Sequence, residues 1–207
     1  MPERAEIPVW DPFVRAFHWG TVALVATAFL SPDDKSLHEP VGYVVLGLVL
    51  ARVVWGLIGT RHARFTDFAA RPAVVLAYLK SLRHGQVRRY VGHNPAGGVM
   101  VLALLAILLI VTVSGWMSET DRFFGVDWVS RLHRVSADVL LGLIGCHLAG
   151  VVISSAVHRE NLVVAMITGR KSAVREHEHE SGTAARPFGG TNRSAMGDGN
   201  PCHNRQT

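Results

Sequence analysis

Cysteine is nearly absent from this chain: two in 207 residues, Cys146 and Cys202. Neither stands in a C-x-x-C-H, so a disulfide-stapled secreted domain and a covalently attached c-type haem are both excluded. Charge is missing from long stretches. Residues 97–116 (GGVMVLALLAILLIVTVSGW) carry none over twenty positions, enough to cross a hydrocarbon layer of about 30 Å. Residues 13–30, 40–58 and 135–157 are nearly as bare, holding only Arg15, Arg52 and Asp138 between them. No internal repeat is apparent, which disfavours an inverted-repeat transporter. The first run also has no small-residue cleavage site, so it is expected to be retained rather than removed as a signal peptide. The predicted fold class is all-α: an integral membrane four-helix bundle with 49% hydrophobic residues and a mean hydropathy of +0.24.

The charges that remain are unevenly placed. The net charge of +5 suggests nucleic acid at first sight. Its distribution reads instead as membrane topology. The segment between the second and third runs holds Arg61, Arg64, Arg71, Lys80, Arg83, Arg88 and Arg89 against Asp67, and Arg159, Arg170, Lys171 and Arg175 follow the fourth. The other two loops hold Asp33, Asp34, Glu39, Glu119, Asp121 and Asp127 against Lys35, Arg122 and Arg131. By the positive-inside rule both termini and the middle loop are expected to be cytoplasmic, in a multi-pass protein of the inner membrane. No nucleic-acid partner is expected. Pro72 and the following AVVLAYLKSL read as a short amphipathic helix on the membrane surface, and ENLVVAMITGRK as a second interfacial segment. Asn94 and Pro95 mark the start of the third helix. Residues 1–171 form one domain on this reading, and 172–207, rich in Ser, Gly, Thr, His, Glu and Arg, a disordered cytoplasmic tail.

Histidine is where the apolar runs stop being bland. His133 and His147 lie fourteen residues apart on the fourth run. Four turns of a slightly supercoiled helix put both imidazoles on one face, about 21 Å apart along the axis. His38 stands at the outer start of the second run, level with His133. His18 on the first run falls about 18 Å below the outer surface, level with His147. Intramembrane ionisable residues are costly and usually functional. Two pairs at matched depths suit two bis-histidine haems, with neutral imidazoles on both sides of each iron. Closed coordination of this kind favours electron transfer over oxygen binding.

Other polar residues admit two readings. Arg52 either snorkels to the cytoplasmic interface or pairs with a propionate of the inner haem, and Arg15 admits the same alternatives. Asp138 orients a ligand, carries a proton, or makes an ordinary polar contact. Gly42, Gly47, Gly142, Gly145 and Gly150 either admit a flat porphyrin or simply let helices approach. His93 introduces the third helix and is a candidate for a quinone site. His62, His84 and His158 read as surface residues, and His177, His179 and His203 belong to the tail.

WDPFVRAFHW, LHEPVGY with ARVVWGLIGTRHARF, GHNPAGG, and LHRVSADVLLGLIGCHLAGV, in that order, resemble the prokaryotic cytochrome b561 family, which is related to the b-type cytochrome subunits of nickel-iron hydrogenases. The resemblance covers residues 8–171. It implies two non-covalent b haems on His18, His38, His133 and His147, and electron exchange with the quinone pool. Family members often carry an acidic residue where this chain has Arg134. They often work as dimers, although no residue here fixes a homodimer.

The expected function is electron transfer between quinone and a redox partner: a c-type cytochrome, a dehydrogenase or a hydrogenase. The chain would be a subunit of a quinone-linked oxidoreductase rather than an enzyme with catalytic residues of its own. The alternative from another class is a haem-free membrane anchor or a histidine-lined ion or metal carrier. Its weakness is the lack of a carboxylate-lined path.

Overall fold

A computed structural model describes residues 6–60, 63–68, 71–83, 94–158 and 161–172. His62, His84, His93, the tail histidines, Cys202 and the proposed tail beyond Ser172 lie outside those residues. The elements in chain order are β1 (Glu6–Pro8), α1 (Pro12–Leu30), α2 (Lys35–Ile58), α3 (Phe65–Phe68), α4 (Pro72–Arg83), α5 (Pro95–Ser118), α6 (Asp127–His158), α7 (Leu162–Thr168) and β2 (Arg170–Ser172). Four of them, α1, α2, α5 and α6, are long and apolar enough to span a membrane. The fold is a helical bundle.

The spans begin where local chemistry allows. Asp11 caps α1 by accepting from the Val14 amide at 2.8 Å, with Pro12 at the first helical position, where a missing N–H costs nothing. Asn94 and Pro95 do the same for α5, Asn94 accepting from Gly97 at 2.7 Å. Two helices start earlier than their apolar runs. α2 begins at Lys35 rather than 40, placing His38 in its first turns and Pro40 inside it. α6 begins at Asp127 rather than 135. Hydropathy finds the apolar stretch, but a helix continues through a polar turn at the membrane surface as long as its amides are bonded.

Packing follows the chain, α1 on α2, α2 on α5, α5 on α6. One apolar core joins Val41, Val45 and Val49 of α2 to Leu108 of α5 and Leu140 of α6, with Leu24, Val25 and Ala28 of α1 against it. Large apolar residues on the outer faces, such as Leu57, Ile110, Leu141 and Val152, are exposed, as lipid-facing side chains must be. α4 and α7 appear where amphipathic segments are expected, α7 exposing Val163, Val164 and Ile167.

One feature of the fold is absent from the sequence reading. β1 pairs antiparallel with β2, Glu6 opposite Ser172 and Pro8 opposite Arg170. Ser172 therefore belongs to the folded part of the chain. The amides of Val9 and Trp10 both donate to the Gly169 carbonyl, at 2.8 and 3.1 Å, and Arg15 donates to the Ile167 carbonyl at the end of α7. Gly169 makes the turn between α7 and β2 at φ 80°, left-handed backbone that suits glycine. The lead and the segment after the last span are clasped together on one side of the bundle.

Two histidine pairs inside the bundle

His18 of α1 faces His147 of α6 with ring centroids 6.4 Å apart, and His38 of α2 faces His133 of α6 at 6.1 Å. The structure brings together both pairs expected from depth. Their spacing has a chemical meaning. Two metal–imidazole bonds of about 2.0 Å in line, with about 1 Å from each nitrogen to its ring centre, put the centroids about 6 Å apart. A bridging zinc would need further ligands. Among the described residues no group of three or more His, Cys, Asp or Glu side chains is placed to hold a bare metal ion. A pair suffices only where another molecule fills the remaining positions, as the four nitrogens of a porphyrin do.

The outer pair is oriented by main-chain carbonyls. His38 Nδ1 lies 3.2 Å from the Ala28 carbonyl, and His133 Nδ1 lies 2.9 Å from that of Val111. A carbonyl only accepts, so each Nδ1 carries the proton and each neutral ring keeps its Nε2 lone pair free. This is the arrangement that metal-bound histidines use to fix their tautomer. Ala28 lies in the last turn of α1, whose carbonyls have no partner within the helix. His133 fits beside α5 because residue 115 is glycine: a Cβ there would stand 3.0 Å from His133 Cε1.

The inner level differs. Four buried side-chain atoms lack a hydrogen-bond partner among the described residues: Arg15 Nε, His18 Nδ1, Thr21 Oγ1 and Arg52 Nη1. Arg15, His18 and Thr21 follow each other at three-residue spacing on α1, spanning about 9 Å of depth. Arg52 is fourteen residues from His38 on α2, so it repeats on that helix the His133–His147 spacing of α6. It is 2% exposed. Its other terminal nitrogen donates to the Ala63 carbonyl at 3.1 Å, and its guanidinium stands 5.3 Å over the Phe65 ring. Arg52 is thus buried and held toward the segment that follows α2, with the Asp11 carboxylate nearby and Nη1 unpartnered among the described residues.

The glycines also separate. A Cβ at Gly42, Gly47, Gly142, Gly145 or Gly150 meets nothing within 4 Å, so none of them serves helix contact among the described residues. Asp138 is exposed on the side of α6 away from both histidines, and so does not orient their rings. Cys146 is free and exposed.

Residues that sequence reasoning passed over are Thr21, Gly115 and Asp11. Asp11 caps α1 and also accepts from Trp55 Nε1 at 3.1 Å and Thr60 Oγ1 at 2.6 Å. Burial works to raise its pKa, but bonds from Thr60, the Val14 amide and Trp55, with the charge of Arg52, hold it below the ordinary carboxylate value. The Asp–Pro pair before an apolar run was a legible signal of a cap. Its two side-chain partners, more than forty residues away, were not.

The chain matches a family model described as prokaryotic cytochrome b561 over residues 9–169. It is 29% identical over 162 residues to a protein named probable Ni/Fe-hydrogenase B-type cytochrome subunit from Azotobacter vinelandii, covering 64% of this chain and 65% of that protein. A protein of the same name from Azotobacter chroococcum mcd 1 is 28% identical over the same shares. Another from Rhizobium leguminosarum bv. viciae is 21% identical over 82% of this chain and 90% of its own length. The chain thus spans just under two thirds of the two Azotobacter proteins. No solved structure matches significantly.

Proposed function

The chain belongs to the prokaryotic cytochrome b561 family, whose members are membrane cytochromes b of electron transfer, and from that premise we propose that it relays electrons through two bis-histidine b haems between the quinone pool and a partner oxidoreductase. The observation that carries the reading is the pair of facing imidazoles at 6.4 and 6.1 Å, held on three spans at two depths. When bound, haem supplies a one-electron ferric–ferrous couple. His18 and His147 would hold one group, His38 and His133 the other.

The chain's own part is to place ligands, exclude water and balance charge. The carbonyls of Ala28 and Val111 hold the His38 and His133 rings by Nδ1 and leave each Nε2 free to bind. Arg52, buried with Nη1 unpartnered among the described residues, suits a haem propionate. Val41, Val45, Val49 and Leu140 fill the space between the levels with apolar side chains. With the basic segments around Arg64, Arg71, Lys80 and Arg170 on one side and Asp33, Asp34, Glu119 and Asp127 on the other, both termini and the His18–His147 level belong at the cytoplasmic side of an inner membrane.

The names of the relatives favour a Ni/Fe-hydrogenase as the partner. It would dock on the outer side, on the short connections 31–34 and 119–126, joined where Lys35 Nζ and Glu119 Oε1 approach to 3.9 Å.

The test is a reduced-minus-oxidised absorption spectrum of detergent-purified protein with haem counted per chain, followed by reduction with a quinol. Two b haems per chain that take electrons from quinol are expected. A colourless protein from cells that make haem would sink the reading and leave a histidine-lined carrier or anchor.

A further inference from the structure

Several hydroxyls in the spans share one habit. Thr27, Thr112, Ser114, Ser118 and Ser136 each donate to the carbonyl four residues back in their own helix, at 2.7 to 3.0 Å. This is how an intramembrane hydroxyl is ordinarily satisfied. Thr21 breaks the habit. Its side chain is 8% exposed, yet its Oγ1 makes no such bond. It stands three residues from His18, whose Nδ1 is also buried and unpartnered. Helical side chains lean toward the N-terminus, so Thr21 lies over the turn that carries His18.

We propose that Thr21 is the positioning residue for His18, its hydroxyl oxygen tied to the Nδ1–H through one bridging water. The inference rests on the two-haem reading above. Its logic is that of the outer pair, where a carbonyl holds each Nδ1 proton and leaves Nε2 as the ligand atom. The His18 ring finds no carbonyl among the described residues, and Thr21, three residues on, shares its helix face with an equally unpartnered oxygen. A bridging water would have a polar partner on each side, the His18 Nδ1 and the Thr21 Oγ1.

The consequence is electronic. A hydrogen bond accepted from Nδ1 makes the imidazole a stronger donor to iron and favours the ferric state. Losing that bond raises the potential of the inner haem alone.

Thr21→Val keeps the shape and removes the hydroxyl, and Thr21→Ser keeps the hydroxyl and removes a methyl. Both are made in the full-length, haem-loaded protein and titrated potentiometrically, following each haem by its absorption band. The inner haem is identified as the one missing from His18→Ala. The expected result is an upward shift of the inner midpoint potential in Thr21→Val, an unmoved outer potential, and a wild-type value in Thr21→Ser. Unchanged potentials in Thr21→Val would overturn the proposal. So would equal shifts in both variants, which would mark a packing role. Failure of the two-haem reading is a separate outcome, seen in the wild-type haem count before any variant is made.

Discussion

Replacing Gly115 with alanine would place a Cβ 3.0 Å from His133 Cε1 and 3.2 Å from Nδ1. Carbon atoms pack comfortably at about 3.5–4.0 Å, so the ring must retreat by about half an ångström. It has little room to do so. Nδ1 is held 2.9 Å from the Val111 carbonyl, and the ring on its other side stands 6.1 Å from His38. Metal–ligand distances tolerate only about 0.2 Å. Two effects then oppose each other. Alanine gains about 1 kcal/mol over glycine in a helix interior. Overpacking costs about 1–3 kcal/mol, and it falls on the haem-bound state, where the ring cannot yield. The haem-free fold should therefore be unharmed while outer-haem affinity drops about 5- to 150-fold. Gly115→Val should lose the outer haem outright. The assay is haem titration into the apoprotein with thermal stability in parallel. Full two-haem loading with wild-type affinity in Gly115→Val would refute the reasoning.

Further outcomes follow from the same contacts. Arg52→Leu removes the buried cation, and should reduce occupancy or shift the potential of the haem lost in His18→Ala while sparing the outer one, as redox titration will read. Asp11→Ala loses a helix cap and two side-chain bonds, lowering stability by about 1 kcal/mol or more in a thermal melt with little change in haem spectrum. Because the folded pKa of Asp11 is depressed, its contribution is whole above the ordinary carboxylate value of 3.8 and is lost as pH falls through the lower folded value. Asp11→Asn should flatten acid unfolding in that window. Gly169→Ala forces a left-handed residue and sets a Cβ 2.8 Å from the Trp10 carbonyl, costing at least roughly 1–2 kcal/mol, measurable as faster proteolysis of the clasp.

The spans and the histidine pairs were legible in the sequence for the same reason: both are periodic. Uncharged runs report bilayer depth, and fourteen-residue spacing reports a shared face. The His38–Arg52 interval carried that signal too, and it agrees with the burial of Arg52. What escaped has no period. The β1–β2 ladder joins two three-residue segments from opposite ends of the described chain, each too short to show alternation. The carbonyls that orient His38 and His133 belong to Ala28 and Val111, whose side chains announce nothing. Gly115 is one small residue among many until the neighbouring ring is known. The helices start at Lys35 and Asp127, outward of their apolar runs, because polar first turns carry no hydropathy signal.

The pairing itself is the central claim, and haem counts of alanine variants test it most directly. His18→Ala and His147→Ala should each lose the same haem, His38→Ala and His133→Ala the other. The double variant within a pair should lose no more than either single, and a double across pairs should lose both. Four singles that lose no haem, or within-pair doubles that strip both haems, would contradict the account.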